Sequence, residues 1–217
     1  MRRFLFAALT LLLAPLALAA PDKWTDAINK FTQADATNPP PTGGVVFVGS
    51  SSIVKWTSLE QDFPGEKVIK RGFGGSELAD SVYYADRIVI PYKPRAVVVY
   101  AGDNDLNAGK TAEQVFADFK AFVAKVHAAL PQTRIVFIGI KPSPSRWKIH
   151  EKGERANALI AAECAKDPKR LRFVDVWKPM LDAKGQPRPE LFVADMLHMK
   201  PEGYKIWTPL VAAQLKP

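Results

Sequence analysis

Three apolar runs, Val45–Val48, Ala96–Tyr100 and Ile135–Ile140, are continuous rather than alternating in polarity. A strand with one wet face alternates. An unbroken run suits a strand covered on both faces, which is the situation in a parallel sheet. Phe173–Val176 adds a fourth run, and the shorter, less apolar Lys67–Lys70 has the character of an edge strand. Helical segments lie between them. Thr111–Leu130 places Val115, Phe119, Phe122 and Val126 on one stripe, and Thr111-x-x-Gln114 opens it as a capping box. A second helix is expected over 147–165 and a third over Pro201–Leu215, with Pro209 predicted to kink or restart it. Strands alternating with helices imply right-handed crossovers and a three-layer α/β/α sandwich.

The ends of the chain read differently. Arg2 and Arg3 precede an uncharged run, Phe4–Ala20, that Pro15 interrupts and Ala17-Leu18-Ala19 closes. This is the pattern of a secretory signal cleaved after Ala19, and the run is short of the roughly 20 residues that span a bilayer. Residues 1–19 are therefore expected to be a signal peptide, and the protein to be exported, to a periplasm or out of the cell. Residues 20–43 are expected to hold an N-terminal helix, marked by Trp24, Ile28 and Phe31, and a polar, proline-rich lead-in over 34–43 without regular structure. Residues 44–217 form the main domain. The formal charge of +8 becomes +6 without Arg2 and Arg3, and no block of Lys and Arg concentrates it, which argues against nucleic acid as a partner. The lone Cys164 permits neither an internal disulfide nor a Cys-based zinc site.

Three glycine-rich segments each follow a predicted strand: Gly49-Ser50-Ser51-Ser52, Gly72-Phe73-Gly74-Gly75-Ser76 and Gly102-Asp103-Asn104-Asp105. The carboxyl ends of the strands line the ligand crevice of an open α/β sheet. A fourth segment, Asp195-Met196-Leu197-His198, precedes the last helix. A serine hydroxyl becomes a good nucleophile only when a base takes its proton, and His198 is the best placed of three histidines to be that base. His127 lies off the apolar stripe of its helix and reads as a surface residue; His150 follows the Pro142–Arg146 loop. Asp195 stands beside His198, where an acid fixes the tautomer, with Asp175 as the rival. Other motifs fail on single residues. Glu77 occupies the place of the third glycine in a dinucleotide fingerprint, and Ile53 that of the second glycine in a nucleophile elbow. Ala108 and Gln114 break a calcium loop begun at Asp103.

In order and content the four segments resemble the blocks of the SGNH/GDSL hydrolase superfamily, across residues 45–207. The resemblance implies a five-stranded, flavodoxin-like sandwich and a Ser-His-Asp triad of Ser51, His198 and Asp195. It also implies an oxyanion hole from the N–H groups of Ser51 and Gly75 and the side chain of Asn104. Ser50 stands where the family usually has Asp, and Lys70 where Asn often heads the second block. The expected activity is that of an exported serine esterase acting through an acyl-enzyme on short-chain or O-acetyl esters, small or polysaccharide-linked, with no metal or organic cofactor. A lysophospholipase or thioesterase, or a non-catalytic glycan-binding domain, are the alternatives. Trp56, Arg146 and Trp147 are candidate substrate walls; Trp177, Tyr204 and Trp207 are expected to pack the last helix on the sheet.

Overall fold

Valine and isoleucine lose little by adopting extended backbone, and in this chain they are covered from both sides. The computed structural model describes residues 22–216, so the signal segment expected at 1–19 lies outside the described residues. The strands are β1 (Val45–Gly49), β2 (Val68–Gly72), β3 (Ala96–Tyr100), β4 (Arg134–Ile138) and β5 (Leu171–Val174). They form one sheet in the order β2-β1-β3-β4-β5, each neighbouring pair parallel, with Val45 opposite both Val68 and Ala96. The helices are α1 (Thr25–Thr37), α2 (Ser51–Val54), α3 (Leu59–Asp62), α4 (Leu78–Ile88), α5 (Asp103–Asn107), α6 (Ala112–Ala129), α7 (His150–Cys164) and α8 (Pro201–Leu215). Alternate strand residues enter opposite layers. Val46, Val48, Val97, Val99 and Phe137 pack with α1, α4, α6 and α7, while Val45, Phe47, Val98 and Ile138 pack with α2, α3 and α8. This is the three-layer sandwich expected, with β2 at one edge.

Four local expectations are corrected. Helix α1 runs to Thr37, into the stretch expected to be irregular, because Asp35 pairs with Arg71 at 2.5 Å and accepts from the Tyr92 hydroxyl at 2.5 Å. Strand β5 lies two residues earlier than the run Phe173–Val176, since its register is set by Ile135 opposite Leu171. Pro209 does not restart helix α8, which continues as one element through it; the residue sits on the exposed face, where the backbone bond it cannot make leaves no buried group unpaired. Trp177 does not pack α8; it lies against Gly153 of α7 and stacks with Trp147.

Candidate active site

Strand β1 lies between β2 and β3, so the chain leaves it toward one side and later returns to the other. At such a reversal, the loops beyond the carboxyl ends of the strands part and leave a crevice. The loops after β2, β1 and β3 carry the three glycine-rich segments side by side.

The turn out of β1 depends on Gly49. Its φ is +133°, and a Cβ there would lie 1.9 Å from the Tyr100 carbonyl oxygen. No side chain fits, so the chain can turn sharply through extended Ser50 into α2, whose first residue is Ser51. Ser50 and Ser52 are buried, and Ser51 is half-buried. Tyr204 of α8 donates to the Ser52 carbonyl at 2.9 Å and so ties α2 to the last helix.

The 193–200 segment brings a histidine to this serine. Phe192 bridges to Met199, and the Val193 N–H donates to the His198 carbonyl at 2.9 Å, closing a tight loop in which Met196 takes φ +54°. His198 Nε2 lies 3.0 Å from Ser51 Oγ, and His198 Nδ1 lies 2.6 Å from Asp195 Oδ2. The other oxygen of Asp195 accepts the N–H groups of Leu197 and His198, each at 2.9 Å. The His198 side chain and these N–H groups hold the Asp195 carboxyl well below the usual carboxylate range, although Asp195 is exposed. With Nδ1–H directed at Asp195, the lone pair of Nε2 faces the hydroxyl. Asp175 serves a turn, accepting the Trp177 N–H at 2.9 Å. His127 meets the Thr133 carbonyl at 2.9 Å at the end of α6.

On the other side of Ser51, a Cβ placed on Gly74 would come 3.9 Å from the Ser51 Cβ. Gly75 follows at φ +78°. Asn104, in the first turn of α5, donates from Nδ2 to the Ser76 carbonyl at 3.0 Å, which joins the loops after β2 and β3. Asp105 reinforces this junction: it is fully buried and accepts the Leu78 N–H at 3.1 Å and a Lys110 proton at 3.1 Å. Burial pushes its carboxyl up to about 6, against the pull of Lys110 and the Leu78 N–H.

The three candidate wall residues separate. Trp56 is fully buried between Phe47, Phe63, Tyr204 and Trp207, and its Nε1 donates to Asp62 at 2.6 Å, so it has no face to offer a substrate. Aromatic packing around α8 took it inward. Lys70, in place of the family Asn, donates to the Trp56 carbonyl at 2.8 Å. Arg146 reaches Asn104 Oδ1 at 3.0 Å and also donates to the Asp103 carbonyl. Trp147 stacks between His150, at 4.3 Å, and Trp177, at 6.1 Å. Arg146, Trp147, His150 and Trp177, with Asp103, Lys141 and Ser143, line a small cavity of ≈ 20 Å³, room for a water. Burial works against ionised Asp103, but Lys141, at 3.1 Å, and Arg146 more than offset it and hold its carboxyl below the usual range. Among the described residues no group of three or more His, Cys, Asp or Glu is arranged to hold a metal, and no helix is long and apolar enough to cross a membrane.

Residues 44–206 match the model of the GDSL-like lipase/acylhydrolase family, about three quarters of the chain. The chain belongs to that family. Ester hydrolysis is the activity of this class, and the lipase/acylhydrolase fold extends to solved relatives. The chain is 29% identical over 188 residues to the platelet-activating factor acetylhydrolase IB subunit alpha1 of Bos taurus, covering 84% of this chain and 78% of the relative. A GDSL-like lipase from Bacteroides thetaiotaomicron superposes with a TM-score of 0.71 at 21% identity, over 86% of this chain and 95% of the other. An acetylxylan esterase from Geobacillus stearothermophilus does so at 0.63 and 15%, over 80% and 94%.

Proposed function

We propose that this GDSL-like acylhydrolase is an exported serine esterase that removes short acyl groups, acetyl above all, with Ser51 as nucleophile. The observation that carries this reading is the relay from Asp195 through His198 to Ser51, with contacts of 2.6 and 3.0 Å. Ser51 Oγ attacks the ester carbonyl while His198 Nε2 accepts its proton, and Asp195 stabilises the imidazolium that forms. The Ser51 and Gly75 N–H groups and the Asn104 amide donate to the oxygen as it gains negative charge. Collapse of the tetrahedral intermediate breaks the ester bond. The alcohol leaves with the proton held on His198, and water repeats the sequence to release the acid.

The short-acyl assignment draws on the open surroundings of Ser51. Val54, Val193 and Met196 are the large apolar side chains left exposed among the described residues, and each lies within three positions of Ser51, Asp195 or His198. In this reading they form a small apolar rim for the acyl group. Two of the relatives above are named for removing acetyl groups, which agrees with a small acyl site. Export rests on the pattern of residues 1–19. Covalent labelling by a fluorophosphonate tests the central claim: the wild type is expected to be labelled and Ser51→Ala not. A glycan-binding domain without an activated serine would resist labelling in both forms.

A further inference from the structure

An Asn side chain is nearly symmetric in shape, but its two ends are opposite in hydrogen bonding. Turned by 180°, Asn104 would present Oδ1 instead of an N–H to the oxygen of the reacting ester and would repel it. Two neighbours decide the orientation. The guanidinium of Arg146, which can only donate, places Nη2 3.0 Å from Asn104 Oδ1. The Ser76 carbonyl, which can only accept, takes one Nδ2 proton at 3.0 Å. A reversed amide would set N–H against guanidinium and oxygen against carbonyl. One Nδ2 proton remains uncommitted.

We propose that Arg146 is a positioning residue that locks the Asn104 amide with its donor toward the ester; the proposal rests on the serine-esterase reading. Arg146 is itself anchored. It donates through Nη1 to the Asp103 carbonyl, and its neighbour Ser145 donates its N–H to the Met196 carbonyl at 3.1 Å, inside the His198 loop. One short segment, Pro144–Ile149, thus braces both sides of the site. Charge acts in the same direction. The Asp103 carboxylate lies 3.1 Å from Lys141 and 4.0 Å from Arg146, so Lys141 is its nearer partner. Across these three side chains a net positive charge is left, and Arg146 carries it against the acceptor end of the amide. That polarises the remaining N–H and makes it a stronger donor.

The test is a double-mutant cycle of Arg146→Ala with Asn104→Ala, read as kcat and KM for p-nitrophenyl acetate alongside the melting temperature. Arg146→Ala is expected to lower kcat by about tenfold or more, less than loss of the donor itself, with KM within about twofold. In the Asn104→Ala background the same change should alter kcat by less than about twofold, because the group it orients is gone. Arg146→Lys, which keeps a donor and the charge, should recover part of the loss and serves the same cycle if the alanine variant fails to fold. A kcat near wild type in Arg146→Ala overturns the proposal, as does an equal loss in both backgrounds, which marks a merely structural role. Ser51→Ala turning over like wild type overturns the esterase reading and this inference with it.

Discussion

At the scale of single residues, the three serines after β1 are separated by burial and contact. Ser51→Ala should lower kcat by at least ~10³-fold, while Ser50→Ala and Ser52→Ala, which remove buried hydroxyls, should leave most of it. Asn104→Ala should lower kcat by ~10²–10³-fold with little change in KM, as loss of one oxyanion donor does. The pH profile follows from Asp195. Its carboxyl is held well below the usual range, so it stays ionised as the solution is acidified and does not titrate together with His198. The acid limb of log kcat/KM should therefore rise with a slope of one, for a single proton lost from the imidazolium. A slope of two would show that Asp195 titrates with its partner. Asp105 makes the opposite prediction for stability. Its folded value, about 6, lies above the ordinary 3.8, so the native state holds a proton that the unfolded chain releases in between. The contribution of Asp105 to stability is thus largest below about pH 4 and is lost as pH rises to about 6, by roughly 1–3 kcal/mol. Urea midpoints at intervals across that window, for wild type and Asp105→Asn, isolate it: the variant should lack this part of the pH dependence.

At the scale of elements, the legible parts were those with a strong period. The α6 stripe and its cap appear as read: Thr111 Oγ1 accepts the Gln114 N–H at 3.2 Å, and Gln114 Oε1 accepts the Thr111 N–H at 2.8 Å. Thr111→Ala should cost about 1 kcal/mol, measurable as a shift in the urea midpoint without a change in slope. Phe119→Ala, which opens a cavity beneath Phe137, should cost about 3–5 kcal/mol. Helix α4 carries no such unbroken stripe. Its apolar set, Leu78, Tyr84, Ala85 and Ile88, is interrupted by buried Ser81, and it is opened by Glu77 with Asp80 rather than by a hydroxyl cap. The order of the blocks pointed to Ser51, Asn104 and His198, because each segment follows a strand or precedes a helix, and the structure brings His198 within 3.0 Å of Ser51. That order could not give Arg146 its place. That contact joins residues 42 apart in sequence, through a 3₁₀ segment that carries no period. Trp56 turns inward for a related reason: nearness to Ser51 in sequence does not say which face of a four-residue helix the next aromatic follows.

At the scale of the whole molecule, the connections decide which ester fits. Ser50 alone joins β1 to α2, Phe73–Glu77 join β2 to α4, and Ala101-Gly102 join β3 to α5. These three loops are too short to fold over Ser51, while the long connection from β5 to α8, residues 175–200, carries Asp195 and His198 to it. The sheet core beneath is filled, with Phe47, Trp56 and Trp207 fully buried, so an acyl chain cannot extend downward without displacing them. In the proposed reading a bound acyl group meets a rim formed by the exposed Val54, Val193 and Met196. A methylene gains roughly 1 kcal/mol only where a pocket encloses it. In a series of p-nitrophenyl esters, kcat/KM should be highest for acetate or butyrate, about tenfold or more above palmitate. In the same reading, acetylated oligosaccharides should be deacetylated at rates that change little with their length. A maximum at ten carbons or beyond would require a lining for the chain that the packed core does not provide, and would assign the site to lipid or thioester substrates instead.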